Sequence, residues 1–181
     1  MSLVLASASA SRRRMLEAAG LVFEVDPPRA DEEAAKASLR AAGLSPREQA
    51  DALAELKALS VSRRRPEFVI GADQMLAIEG QVLDKPKDMA EAKAHLERLR
   101  GKTHQLLTAA VVAREGVIIW RHIDTPRLRM RELSDAFVQE YLDRVGQGAL
   151  SSVGAYQREG RGARLFESVQ GDYCAVRGLQ R

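Results

Sequence analysis

An apolar strand that runs into a loop of small hydroxyl residues and then straight into a helix leaves few choices for how this chain begins. Leu3 to Ala6 reads as the strand, and Ser7, Ala8, Ser9, Ala10 and Ser11 as the loop. Arg12, Arg13 and Arg14 then lead into a helix through Met15, Leu16, Ala18 and Ala19. A helix N-terminus leaves backbone N–H groups without intrahelical partners, and the helix dipole adds partial positive charge there. Placed behind a strand and a tight loop, such a terminus is an anion site. Serine hydroxyls add donors, and guanidinium groups facing the loop grip phosphate oxygens in bidentate fashion. The segment predicts a phosphate binder.

The rest of the chain mixes helices with hairpins. Gly20 stops the first helix, and Val22 to Val25 forms a short strand broken by Pro27 and Pro28. Glu32 to Ala42 reads as an alanine-rich helix ended by Gly43. Ser45-Pro46-Arg47-Glu48 is a capping box with proline at the first helical position. It opens a helix through Ala50, Leu53, Leu56, Leu59 and Val61, to about Arg64. Phe68 to Ile70 is a buried-type strand, and Met75 to Ile78 with Gln81 to Leu83 flank Glu79-Gly80 as a hairpin. Met89 to Leu99 is helical and stops at Gly101; Gln105 to Arg114 and Val117 to Leu128 flank Glu115-Gly116 as a long hairpin. Ser134 caps a helix with Phe137, Val138, Tyr141, Leu142 and Val145 on one face. A glycine-rich loop, Gly154 to Gly162, precedes strands at Leu165 to Val169 and Tyr173 to Val176. This order predicts a mixed α/β sheet in one domain over residues 1–181.

Composition narrows the class. A chain of 181 residues with 4% aromatics builds its core from Leu, Val, Ile and Ala, and is long enough to need no staples. The net charge of +3 suits an anionic small molecule as well as nucleic acid, but there is little aromatic surface on which bases could stack. Cys174 stands alone, which excludes an internal disulfide framework and fits a reducing cytoplasm; it reads as a small buried side chain rather than a nucleophile. No apolar run approaches the ~20 residues of a membrane span, and no basic region precedes an apolar stretch at the N-terminus. The expectation is a soluble cytoplasmic protein with no membrane or nucleic-acid partner.

Four further clusters can carry chemistry. Asp31-Glu32 stands just before a helix, where acids cap and complement the dipole or face a bound metal. Gly71-Ala72-Asp73-Gln74 follows the strand Phe68 to Ile70, at the kind of strand end where open α/β sheets place ligands. Asp84-Lys85-Pro86 fixes the chain beside a lysine, and the loop Gly154 to Gly162 permits close approach of a ligand. Phosphate chemistry needs this mixture: cations for phosphoryl oxygens, carboxylates for Mg²⁺, and a base for water. Arg12, Arg13, Lys57 and Lys85 supply the first, and Glu32 and Asp73 the second, with either acid able to act as base. There is no G-x-x-x-x-G-K-[ST] loop and no G-x-G-x-x-G after the first strand. His95, His104 and His122 make no zinc pattern and read as helix-surface or strand-surface residues.

Taken in order, the clusters resemble the Maf family of nucleoside triphosphate pyrophosphatases. The match runs through L-A-S-A-S-A-S-R-R (Leu5 to Arg13), F-E-V-D-P-P-R-A-D-E (Phe23 to Glu32), E-L-K-A (Glu55 to Ala58), I-G-A-D-Q (Ile70 to Gln74) and D-K-P (Asp84 to Pro86). It continues through G-K-T-H-Q-L-L-T (Gly101 to Thr108), G-A-Y-Q-R-E-G-R-G (Gly154 to Gly162) and G-D-Y-C-A-V-R-G-L (Gly171 to Leu179). The resemblance implies an elongated mixed α/β sheet with flanking helices and a central cleft, of the Maf/ITPase-like kind, commonly a homodimer. It implies hydrolysis of a nucleoside triphosphate to the monophosphate and pyrophosphate with a divalent metal, Mg²⁺ or Mn²⁺. Asp73 matches the proton acceptor; Ser9, Arg12, Arg13, Lys57 and Lys85 match triphosphate contacts; Glu32 matches a further active-site carboxylate linked, with Asp73, to the metal. Base-selecting positions fall on Ser11, Gln74 and Glu159; Gln74 and Glu159 match the 7-methyl-GTP branch, whereas Ser11 lacks that branch's aromatic ring. Ala10 replaces the usual loop proline, and the chain ends at Arg181, where a typical member continues into a helix. These departures leave a second expectation open, a catalytically weak nucleotide-binding regulator of cell division.

Overall fold

The computed structural model describes residues 2–156, 160–171 and 179. Its described elements run β1 (Leu3–Leu5), α1 (Ala10–Ala18), β2 (Glu24–Val25), α2 (Glu32–Ala41), α3 (Pro46–Ser62), β3 (Phe68–Ile78), β4 (Gln81–Leu83) and α4 (Met89–Leu99). There follow β5 (Thr103–Arg114), β6 (Val117–Asp124), β7 (Arg127–Met130), α5 (Asp135–Val145), three short 3₁₀ turns and β8 (Phe166–Gln170). The strands form one mixed sheet in the order β2-β1-β3-β5-β7-β8, with β4 on β3 and β6 on β5. β1 is parallel to both β2 and β3, and the remaining described pairings are antiparallel. The predicted mixed α/β class is what the chain adopts.

The chain divides into two compact units. The first holds Met1–Gln74, Leu107–Asp124 and Asp172–Arg181, and the second Met75–Leu106 and Thr125–Gly171.

In the first unit, β3 alternates its side chains between two layers. Ile70 and Ala72 join Leu5, Met15, Leu16, Ala110 and Leu179 on the α1 side. Val69 packs with Val4, Ala6 and Val61 on the α3 side. By the same alternation Gly71 and Asp73 face α3. A Cβ at Gly71 would stand 2.3 Å from the Ala54 carbonyl oxygen and 2.5 Å from the Ala58 amide nitrogen. Helix and strand are therefore in backbone contact, and only glycine fits between them. The capping box at Ser45 is present as expected, the Ser45 N–H donating to Glu48 and the Ser45 hydroxyl accepting the Glu48 N–H.

In the second unit, α4 buries Ala92, His95, Leu96 and Leu99, and α5 buries Val138, Tyr141 and Leu142. Gly154 fits against Leu76 and Leu99 at a positive φ. His104 on β5 is 1% exposed, places Nε2 2.6 Å from the Tyr156 hydroxyl, and packs with Phe166. Its Nδ1 has no hydrogen-bond partner among the described residues.

Several local expectations are corrected. Gly71 to Gln74, expected just past a strand that ends at Ile70, is the middle of an 11-residue strand. β1 pairs with its residues 68–70 and β4 with its residues 76–78, and β5 is its other neighbour in the sheet, so the strand continues through residues of poor strand propensity. The second arm of the long hairpin stops at Asp124, and Pro126 separates it from β7. The buried face of α3 is Ala50, Leu53, Ala54, Lys57, Ala58 and Val61, while Leu56 and Leu59 are only half-buried, because the contact at Gly71 demands small residues. His95 and His104 are buried, not surface residues; only His122 is exposed, stacked on Trp120. The strand expected at Tyr173 to Val176 and Cys174 lie outside the described residues.

Gly71→Ala should destabilise the protein by about 1–3 kcal/mol, since a methyl group there must push back main chain rather than a flexible side chain. Urea unfolding measures this, and an unchanged midpoint would contradict the packing. Burial pushes the His104 imidazole down to about 4 from its ordinary 6.5. Folding therefore favours neutral His104, and stability falls as pH drops from 6.5 toward 4, where the unfolded chain binds the extra proton first. His104→Phe should be less stable at neutral pH but show a shallower loss of unfolding midpoint between pH 7 and 5; an equal loss in both proteins would remove His104 from this role.

Candidate functional site

The N-terminal loop is held by its own serines. Just past the end of β1, the Ala6 N–H donates to the Ile70 carbonyl at 2.8 Å. Ser7, 5% exposed, accepts from the Ser9 N–H at 3.1 Å and from Arg12 Nη1 at 3.3 Å. Ser9 is the N-cap of α1, its hydroxyl oxygen accepting from the Arg12 N–H at 3.4 Å. The expected strand–loop–helix is present, but the hydroxyl oxygens serve as acceptors that brace the loop, and two of its N–H groups are already engaged. Burial pulls the Arg12 guanidinium below its ordinary value, with the negative charges of Asp73 and Glu32 opposing that pull.

Asp31 and Glu32 divide between the two readings their position allowed. Asp31 is the N-cap of α2 and accepts from the Ala34 N–H at 2.9 Å. Glu32, one residue on, turns its carboxylate to Lys57, with Oε2 2.9 Å from Nζ. The same Nζ lies 2.8 Å from Asp73 Oδ1. Lys57 and Asp73 are 6% and 7% exposed, whereas the Glu32 side chain is 38% exposed, so this is a buried ion pair with one partner open to solvent.

Three elements deliver these groups. Lys57 takes a position in the buried stripe of α3 where an apolar residue would ordinarily stand. Asp73 projects from β3 two residues after Gly71, the point of closest approach to that helix. Glu32 arrives from the first turn of α2.

Gln74, next to Asp73, points to the opposite face of β3. Its Nε2 donates to the Thr108 hydroxyl at 2.9 Å, and Thr108 is fully buried. Ser11 is half-buried in the first turn of α1. Arg13 does not join the cluster: it is exposed and pairs with Glu17 at 2.8 Å along its own helix. Lys85 is exposed in the segment after β4, in the second compact unit. Glu159 lies outside the described residues.

Sequence reasoning missed that Thr108 holds Gln74. It singled out Lys57 as a charge without noticing its phase: Ala50, Leu53, Ala54, Lys57, Ala58 and Val61 follow a helical stripe with a lysine inside it.

Chemically, the cluster offers two carboxylates and two cations within one unit. Mg²⁺ is usually held by one or two carboxylates, with water and phosphate oxygens completing the shell. Among the described residues no three His, Cys, Asp or Glu side chains converge. Glu32 and Asp73 thus suit a hard dication that a phosphate ligand helps to hold. No helix among the described residues is long and apolar enough to cross a membrane.

Comparison with known proteins adds an independent finding. A 7-methyl-GTP pyrophosphatase of Rhizobium etli is 48% identical over 178 residues, covering 98% of this chain and 89% of that protein. A nucleoside triphosphate pyrophosphatase of Hyphomonas neptunium is 49% identical over 179 residues, covering 99% of this chain and 90% of that one. A solved nucleoside-triphosphatase (dITP/XTP pyrophosphatase) of Mycobacterium abscessus overlaps 94% of this chain and 86% of its own, but a TM-score of 0.43 at 13% identity is too loose to carry weight. The family description "Maf-like protein" matches residues 2–181, and with relatives this similar over nearly its whole length the chain belongs to that family.

Proposed function

We propose that this chain is a nucleoside triphosphate pyrophosphatase, cleaving its substrate with water to a nucleoside monophosphate and pyrophosphate. The observation that carries this is the buried set of Lys57 on Asp73 and Glu32, with Arg12 close enough to feel both carboxylates. The names of relatives at 48–49% identity support the same reaction.

In this mechanism a water oxygen attacks the α-phosphorus, the bond from that phosphorus to the α–β bridging oxygen breaks, and pyrophosphate leaves with the bond's electrons. Asp73 accepts the water's proton. Arg12, braced by Ser7, donates to the triphosphate, with Ser9 as a further contact. Lys57 offers its ammonium to the same oxygens. Glu32 and Asp73 would hold a Mg²⁺ or Mn²⁺ ion, which supplies Lewis-acid neutralisation of phosphate charge.

Base choice belongs to Ser11, Gln74 and Glu159. Gln74 stands on the opposite face of β3 from Asp73, where its amide donates to Thr108. A glutamate accepts from the N1–H and exocyclic amine of a guanine, a pattern uracil and thymine do not offer. The reading therefore favours guanine-type substrates, 7-methyl-GTP among them. It also takes the protein to be a cytoplasmic homodimer, an assembly able to cover the exposed Val117, Ile119 and Trp120 of β6.

Purified protein with Mg²⁺ or Mn²⁺ should release pyrophosphate rather than orthophosphate. Asp73→Asn should lower that rate about 10²- to 10⁴-fold, the usual worth of a positioned base, with far-UV circular dichroism unchanged. A folded variant of undiminished rate would take Asp73 out of the base role. Across a panel of canonical and methylated nucleotides, guanine forms should turn over fastest; a preference for dTTP or UTP would reverse the assignment of base choice. Tight binding with no turnover anywhere in the panel would instead support the regulator.

A further inference from the structure

Lys57 holds one oxygen of each of the two carboxylates that would hold a dication. Its Nζ is 2.9 Å from Glu32 Oε2 and 2.8 Å from Asp73 Oδ1, and its side chain is 7% exposed. A small ammonium and a small dication ask the same of such a pair: close oxygens, and a place for positive charge between two negative ones. An ion bridging those two oxygens needs the space and the charge balance that the ammonium takes.

We propose that Lys57 is a built-in counter-ion of the metal site, competing with the dication for Glu32 and Asp73 and yielding them when triphosphate oxygens offer its ammonium another partner. This rests on the pyrophosphatase reading and deepens it: metal loading becomes conditional on nucleotide.

Charge supports it. Arg12 and Lys57 balance Glu32 and Asp73, so a dication arriving alone leaves uncompensated positive charge in a largely buried cluster, whereas one arriving with a polyanion does not. Mechanics support it too. α3 cannot advance, its backbone already in contact with β3 at Gly71, Ala54 and Ala58, so the exchange falls to the flexible four-carbon stem of Lys57.

The test is Mn²⁺ binding in the absence of nucleotide, read from the electron paramagnetic resonance signal of the free ion. Full-length wild type is compared with Lys57→Met, which keeps the stem and removes the charge, and Lys57→Arg, which keeps the charge. Lys57→Met should bind Mn²⁺ at least tenfold more tightly than wild type, and Lys57→Arg should stay at the wild-type level. Equal affinity in wild type and Lys57→Met overturns the proposal, as does a gain that survives Glu32→Gln in the Lys57→Met background. If Lys57→Met does not fold, the ¹⁵Nζ resonance of Lys57 in the wild type decides. Mg²⁺ alone should leave it in place, and Mg²⁺ with the α,β-methylene analogue of the preferred nucleotide should move it. Movement by Mg²⁺ alone, or none with both, refutes the exchange. Pyrophosphate release by the wild type is measured alongside. Release without the Lys57→Met gain defeats this proposal only, and the gain without release defeats the pyrophosphatase reading only.

Discussion

A lysine ammonium buried against two carboxylates is the interaction on which the rest of this structure turns. Lys57 occupies the core-facing stripe of α3, where an isolated charge would carry a desolvation cost of several kcal/mol. It is tolerated because Asp73 and Glu32 meet it there, and removing one partner of such a buried pair typically costs about 3–5 kcal/mol. Packing α3 onto the sheet and gathering the site are therefore one event. Gly71 sets the distance. With no side chain at that point, and alanines at 54 and 58 opposite, helix and strand come into backbone contact, and a short aspartate can reach a long lysine at 2.8 Å.

The N-terminal loop solves a different problem by similar means. Its donors have to be in place before a phosphate arrives if binding is not to be weakened by ordering them. Ser7 and Ser9 fix the loop through local hydrogen bonds, and Arg12 is drawn in by Ser7. Arg13 differs by one helical step, which rotates it about 100° around α1 into solvent and toward Glu17. Adjacent arginines of identical chemistry thus receive different fates from helix geometry alone.

Much of this was legible in the sequence wherever the signal is local. Caps at Ser45 and Ser134, and the stops at Gly20 and Gly43, report backbone preferences that survive into the structure, whereas α1 starts at Ala10 on a Ser9 cap, inside what read as loop. What was misread depended on partners distant in the chain. Gly-Ala-Asp-Gln lacks strand formers, and it becomes continuous strand through the neighbours of β3 in the sheet, β1, β5 and β4, all distant in sequence or beyond its ends. Of the leucines along α3, Leu53 is buried, but Leu56 and Leu59 are only half-buried, since the glycine contact brings alanines 54 and 58 against the strand. His104 looked like a strand-surface residue because nothing local announces a tyrosine 52 positions away. Asp31 and Glu32 were separable only once the helix boundary fell between them, making one the cap and the other a reaching side chain.

Because burial of α3 requires its lysine to be neutralised, the charge of the site is set by folding before any substrate is considered. Two cations stand against two carboxylates, and the cluster is poor ground for a lone ion of either sign. A free phosphate must win Lys57 and Arg12 from carboxylates that stay behind; a free dication must win the carboxylates from the cations. A ligand that brings both signs together meets neither obstacle, since each group exchanges one opposite charge for another. The physical requirement that makes the helix fold thus also leaves each charge of the site already facing its opposite.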